Sequence, residues 1–297
     1  MHYVKEILFN SQLSFKKTYC ILFLLIIASA LQAQKMPSDY FDEAVRFDNE
    51  NKLDESLASF EYIIRNHPKN GYYPISYYNT ALLLYKKKNY EESKLRFKNI
   101  LKGNFNEFEQ RSGGIMDDPY TNYRHWSSVY ISNIFYDQQQ YDSALYYFSL
   151  SDSLYDYEHF CGNAIEGMAI QTAKHYALLY EKLNQPDSAI SALLKYAFPT
   201  LNGNGELISE LKRFLTPKAK TINFKRELDN AISLLKKIEN DPGSKRDDVY
   251  AFVFLGNEVK IEADYFYSTY SEQPPSIQKM IKTIKASYFY KTVASIK

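Results

Sequence analysis

One eight-residue phrase recurs along this chain and limits what it can fold into. It stands as LDESLASF from Leu53, YEESKLRF from Tyr90, YDSALYYF from Tyr141 and PDSAISAL from Pro186, with acidic, small and apolar residues in matching slots. Around each copy the spacing is fixed. A small residue (Ala44, Ala81, Ser132, Ala177) precedes a second small residue by twelve positions (Ser56, Ser93, Ala144, Ala189), and a large apolar one follows four further on (Phe60, Phe97, Phe148, Leu193). Upstream, sets such as Tyr40, Ala44 and Phe47 or Tyr77, Ala81 and Leu84 keep the i, i+4, i+7 spacing of a helix face. Two antiparallel helices approach closely only where small side chains meet. Ala44 is therefore expected to face Ser56, and Ala177 to face Ala189, with rings such as Phe47 and Phe60 filling the space on either side. A pair of this kind cannot bury its apolar face alone, so the copies must stack. Asp54, Glu55, Asp142 and Asp187 then fall in the first turn of each second helix, where negative charge suits the helix dipole.

Composition agrees with helices that use rings as filler. The 297 residues hold 28 Tyr, 19 Phe and a single Trp126, against only 10 Gly and 10 Pro, which argues against a turn-rich β-sandwich. A net charge of +1, with Lys86-Lys87-Lys88 as the densest basic run, lacks the concentrated positive field of a nucleic-acid binder, so no nucleic-acid partner is expected.

From about Ser38 to Pro199 the pattern resembles the tetratricopeptide repeat, a helix-turn-helix unit of about 34 residues. The first unit matches best, down to its closing Pro68, although the eighth position of each unit holds Ala or Ser where the family prefers Gly. The resemblance implies an all-α, right-handed helical solenoid of antiparallel helix pairs spanning residues 36–200. The second small residues fall at intervals of 37, 51 and 45, all longer than the family's unit, so insertions are expected. The longest, residues 103–126, carries Gly113-Gly114 and Asp117-Asp118-Pro119 and reads as a long loop, with room for a short helix.

The N-terminus has its own grammar. Lys16 and Lys17 precede an apolar run from Tyr19 to about Ala30, and small and polar residues follow. That order predicts a secretory signal peptide over residues 1–33, cleaved after Ala33 or after Ala30, and hence an exported protein of the periplasm or outer envelope, or a secreted one. Cys20 lies at the start of the apolar run and not after it, which rules out a lipoprotein signal, and the run is short for a bilayer span. An uncleaved anchor is the alternative; after cleavage no membrane span is expected. Cleavage removes Lys5, Glu6, Lys16 and Lys17, leaving the mature chain near neutral and Cys161 as its sole cysteine, read as a small buried residue with no disulfide to form.

Residues 201–297 depart from the pattern. LDNAISLL from Leu228 reads as the second helix of a decayed fifth unit, with ELISELKRFL (Glu206 to Leu215) as its first helix, ended by Pro217. VYAFVFLGNEVKI from Val249 is β-branched and aromatic and predicts a short hairpin turning at Gly256-Asn257. Ser276 to Lys297 keeps helical spacing through Ile277, Met280, Ile281, Ile284 and Tyr288, and is read as a capping helix. The tail is thus a small α+β cap on the helical array.

Nothing in the chain assembles a catalytic set. H-E-x-x-H, C-x-x-C, G-x-S-x-G and Walker-type loops do not occur, and the histidines at 2, 67, 125, 159 and 175 are scattered. His159 and Cys161 are close enough to raise a nucleophile pair, without a third orienting group. Asn202, Asn204 and Gly205 suggest a calcium loop, but Thr200 and Leu211 stand where Asp and Glu are required, so a helix-leading loop is the better reading. The expectation is a non-enzyme without metal or cofactor.

What remains is the groove. In tetratricopeptide proteins the first helices line a concave face that receives peptides. Carried over, that face offers Phe41, Val45, Asp48 and Asn49 in the first unit, and Ile75, Tyr78, Leu82, Tyr85 and Lys86 in the second. The third unit gives Trp126, Val129, Asn133, Tyr136 and Asp137, and the fourth Gln171, Lys174, Leu178, Glu181 and Lys182. Phe41 and Val45 stand where chaperone-binding members carry a Lys and an Asn to clamp a carboxylate, so that clamp is absent. The expected face is aromatic and aliphatic, with Asn133 and Lys174 as polar handles, and it predicts a protein or peptide partner. Two alternatives stand beside it: a structural envelope component whose groove its own chain fills, and a glycan-binding or enzymatic protein with a site in the 103–126 insertion.

Overall fold

In a computed structural model the described residues are 35–108, 118–198, 205–238, 249–262 and 275–297. The expected signal segment, residues 109–117 of the insertion and the candidate calcium positions Thr200, Asn202 and Asn204 lie outside them. Eight helices follow in pairs: α1 (Pro37–Asn49) with α2 (Leu53–Asn66), α3 (Tyr72–Lys86) with α4 (Tyr90–Lys102), α5 (Tyr123–Asp137) with α6 (Tyr141–Ser153), and α7 (Gly162–Lys182) with α8 (Pro186–Lys195). After them come α9 (Gly205–Leu215), a 3₁₀ turn (Thr216–Lys220), α10 (Phe224–Ser233), strands β1 (Lys236–Ile238), β2 (Val249–Phe254) and β3 (Asn257–Glu262), and helices α11 (Ile277–Ala286) and α12 (Tyr288–Ala294). The chain divides into two compact units, one ending at Ser93 and one beginning at Lys94.

The twelve-residue spacing is a contact. Ser56 Oγ donates to the Ala44 carbonyl at 2.8 Å, and Ser93 Oγ donates to the Ala81 carbonyl at 2.8 Å. In the second unit the hydroxyl changes helix: Ser132 Oγ on α5 donates to the Ala144 carbonyl on α6, also at 2.8 Å. At the α7–α8 crossing two alanines, Ala177 and Ala189, take both places. All eight residues are 0 % exposed. A carbonyl has two lone pairs, so it accepts this bond while keeping its helical one, and the buried hydroxyl is satisfied without a water. The helix pairs are therefore held at close crossings by their own side chains.

The turn between the helices is repeated just as closely. Asn51, Lys88, Gln139 and Asn184, each seven residues after the first small residue, have φ of 57°, 59°, 60° and 56°. The next residue's N–H reaches back across the helix end: Lys52 to Phe47 O, Asn89 to Leu84 O, Gln140 to Phe135 O and Gln185 to Tyr180 O, at 2.8–2.9 Å. Each left-handed residue also donates to the carbonyl three before it, completing a Schellman motif at every first-helix C-terminus.

Rings fill the remaining space. In the first unit Phe41 meets Phe60 edge-on at 5.5 Å, and Tyr40 stacks on Tyr62 at 4.0 Å. In the second, Phe97 stacks on Tyr130 at 5.4 Å, Phe135 on Tyr147 at 5.4 Å and Phe148 on His175 at 4.1 Å.

The pattern stops at α9. Its buried residues are Leu207, Ile208, Leu211, Phe214 and Leu215, none of them small, so it offers no site for a close crossing. Helix α12 instead packs against both α9 and α10, through a core that includes Phe289 and Val293. The expected capping helix is broken in two at Ser287, whose extended backbone ends α11 and whose Oγ accepts from Tyr290 N to start α12. The expected hairpin is the larger part of a three-stranded antiparallel sheet, ordered β1-β2-β3. Its turn is Leu255-Gly256, both at positive φ, and Asn257 is already paired with Phe254. Two left-handed residues make the turn whose twist matches the flanking strands, which places it one residue earlier than Gly256-Asn257 suggested. Strand β1 went unread because Lys236-Lys237-Ile238 is short and basic; exposed lysines suit a sheet edge. The central strand β2 is buried at every position but Val253. In the insertion, α4 ends at Lys102, α5 begins at Tyr123, and Phe108 bridges Tyr120 between them.

Three outcomes follow from this packing. Replacing Ala44 or Ala144 by Leu forces the helices apart and lowers stability by about 1–3 kcal/mol or more, measured by chemical unfolding. Lys88→Gly and Gln139→Gly, at exposed left-handed positions, each raise stability by about 0.5–1 kcal/mol, seen as a higher melting temperature. The third concerns His175, whose Nε2 is buried without a hydrogen-bond partner. Burial pushes its pKa from 6.5 down to about 4. The fold favours the neutral ring, so the stability it carries is complete above about pH 6.5 and is lost as pH falls towards 4. The loss amounts to about 2–3 kcal/mol, and the His175→Phe variant should show a flatter stability profile over that window.

Candidate functional site

Four of the expected face positions, Val45, Asp48, Leu82 and Lys86, line one pocket in the first compact unit. Val45 and Asp48 on α1 stand three residues apart on one face, as do Asn79, Leu82 and Lys86 on α3 at helical spacing. They line a surface pocket of about 70 Å³ whose other lining residues are Phe60 and Leu83. Lys86 Nζ reaches both Asp48 carboxylate oxygens at 2.7 Å, tying the two first helices together. Val45 is 38 % exposed. Phe41 is not an open platform: it is half-buried, packed on Phe60 and on Tyr72 at 5.0 Å. Tyr78 and Tyr85 are half-buried as well, with Tyr85 against Tyr90 at 5.9 Å.

In the second unit the aromatic positions are shared with the interior. Val129 and Tyr136 pack against a core of Ala144, Phe148 and Leu179. Trp126, the ring expected to serve as a binding platform, is half-buried between the edges of His125 at 5.0 Å and Tyr157 at 5.9 Å. Asn133 is half-buried on the same helix, and Leu178 on α7 is exposed. The handle Lys174 is not isolated, since its ammonium pairs with Glu206 at the start of α9. Two turns further along α7, Glu181 receives two bonds from the Arg213 guanidinium, at 2.5 and 2.9 Å. That guanidinium holds the Glu181 carboxyl below its ordinary pKa, and the two carboxylates around Arg213 raise its own. The polar groups of this face thus tie α1 to α3 and α7 to α9, each exposed pair contributing about 0–1 kcal/mol.

The nucleophile reading of His159 and Cys161 fails on geometry. His159 Nδ1 accepts the Cys161 backbone N–H at 2.9 Å, and Nε2 faces Asp118 at 3.3 Å. Neither ring nitrogen is left to take a proton from the thiol. Cys161 is half-buried at the N-cap of α7 rather than fully enclosed, because the chain there is only entering the helix. Among the described residues no group of His, Cys, Asp or Glu is arranged to hold a metal ion, and no helix is long and apolar enough to cross a membrane.

Sequence reasoning missed a second feature, on the other side of α7. Helices α6 and α8, the second helices of their pairs, flank a cleft of about 680 Å³. At one end Asp152 accepts from Tyr196 Oη at 3.2 Å and Tyr176 Oη at 3.4 Å, and Lys195 Nζ stands 3.5 Å away. Burial, and next the Asp152 charge, raise the Tyr176 pKa far above its ordinary value; burial also raises that of Tyr196. Both hydroxyls therefore stay protonated and act as donors. The signal was present as Ser188, Ser191 and Ala192, small residues on the flank of α8 where larger ones would close the gap.

No protein-family model and no curated protein sequence matches the chain. Among solved structures it is similar to MamA 41-end from Desulfovibrio magneticus RS-1, at 17% identity over 61% of this chain and 85% of that one, with a TM-score of 0.42. A MamA RS-1 double mutant gives 15% identity, 61% and 84% coverage and a TM-score of 0.42. A putative kinesin light chain of Podospora anserina, described as nearly identical TPR-like repeats, gives 13% identity over 63% of this chain and 90% of that one, at a TM-score of 0.41.

Proposed function

We propose that this protein is a non-catalytic scaffold that holds a protein or peptide partner on the face of its first helices. One observation carries the reading: Val45, Asp48, Leu82 and Lys86, from two consecutive first helices, converge on a single surface pocket. Its volume of about 70 Å³ is that of two or three waters, enough for one small apolar side chain of a partner. The Asp48–Lys86 pair on its lining offers a donor and an acceptor to a passing backbone. Affinity would come from seating that side chain and selectivity from the paired charges beside it. The order of Lys16, Lys17 and the apolar run after them supports action outside the cytoplasm, after loss of residues 1–33.

The test is co-purification of crosslinked partners from the native cell envelope. A Val45→Glu, Leu82→Glu double variant should lose its partner while keeping helicity and melting temperature, since a charge at the pocket leaves the buried crossings intact. A partner retained at full yield by the folded double variant would remove this face from consideration.

A further inference from the structure

The cleft between α6 and α8 lies apart from the first-helix face. Tyr176 and Tyr180 reach it from α7. At 100° per residue they lie on the side of that helix opposite Lys174, Leu178 and Glu181. A ligand here therefore leaves the proposed groove untouched.

Three properties define what fits. The first is length: the α6 flank runs from Asp142 to Asp152, ten residues or about 15 Å of helix, the reach of four or five residues of extended chain. The second is ring surface. Tyr146 is 59 % exposed on the α6 flank, and Tyr176 and Tyr180 stack at 6.1 Å along the α7 side. The third is charge. The lining carries two carboxylates, Asp142 and Asp152, against one ammonium, Lys195. Lys195 is already drawn to Asp152, which leaves Asp142, exposed in the first turn of α6, as the uncompensated charge. Tyrosine faces beside an unneutralised carboxylate favour a cation, by the ring quadrupole and by direct attraction.

We propose that this cleft binds an extended polypeptide segment bearing a lysine or arginine side chain, which lies against Tyr146 and pairs with Asp142. Asp152, held by the two tyrosine hydroxyls and Lys195, forms the closed polar end of the cleft. The small residues Ser188, Ser191 and Ala192 make room for the segment's backbone.

The experiment uses the full chain after signal removal and fluorescein-labelled hexapeptides of Gly, Ser and Thr carrying no, one or two Lys or Arg residues. Affinity is read by anisotropy at low and at high salt, beside a panel of neutral oligosaccharides. Cationic peptides should bind and neutral ones should not, with binding weakened by salt. Asp142→Asn and Tyr146→Ala should each lower affinity about 5-fold or more, and Val45→Glu with Leu82→Glu should leave it unchanged. Ser191→Trp, which fills the cleft without altering charge, should abolish binding; circular dichroism establishes that each variant is folded. Equal binding of neutral peptides, binding that survives Ser191→Trp, preference for the oligosaccharides, or no binding of any peptide would each overturn the proposal. Because the groove variant is a control here, failure of this site and failure of the first-helix face give different results.

Discussion

Close approach of two helices through small side chains is the contact from which the rest of the helical region follows. At Ala44–Ser56 and Ala81–Ser93 the side chains are so small that a serine hydroxyl reaches the opposite backbone carbonyl. That proximity leaves only a short connection between the helices, and the chain makes it with one left-handed residue in a Schellman motif. The crossing also sets where volume must be supplied. One turn beyond the second small residue the gap between helices widens, and Phe60, Phe97, Phe148 or Leu193 fills it, each at 4 % exposure or less. Small residue, turn and ring are consequences of a single distance.

Where the crossing is missing, the architecture changes. Helix α9 buries only large side chains, so it is covered by a helix from the end of the chain, and the sheet joins the same core. Ile170 of α7, Phe252 of β2 and Ile296 at the C-terminus all belong to that cluster. The tail therefore shares its interior with the fourth helix pair and supplies apolar cover that a further repeat would otherwise provide.

On the face of the first helices, apolar side chains serve two purposes and charges are matched in pairs. Phe41, Val129 and Tyr136 contribute to the interior as well as to the surface. Asp48–Lys86 links α1 to α3, and Lys174–Glu206 and Glu181–Arg213 link α7 to α9. Such pairs add little stability at exposed positions, but they fix which polar groups this face presents. The second helices of the last two pairs differ: small residues on α8 leave a cleft, and the half-buried Asp152 carboxylate with two tyrosine hydroxyls closes one end of it.

The sequence by itself determined the helix pairs, because the residue size that permits a crossing is a local property and its twelve-residue recurrence is visible on paper. It also placed the second-helix starts and a β-hairpin, through acidic first turns and β-branched runs. Two of the left-handed turns were not legible: Lys88 and Gln139 carry neither the glycine nor the asparagine that Asn51 and Asn184 show at the same place, and the short connection between crossing helices forces their conformation. Nor were β1, whose two lysines look like solvent-exposed coil until β2 presents an edge to pair with, and the break at Ser287, where capping competes with an unbroken apolar period. For the candidate sites, periodicity gave the helix face on which Val45, Leu82 and Lys174 lie. Whether a side chain on that face is open, packed or paired depends on residues more than thirty positions away, such as Glu206 and Arg213. A cleft is a space between elements: Ser188, Ser191 and Ala192 are small on paper, but tertiary packing alone decided that they would face a gap rather than a neighbour.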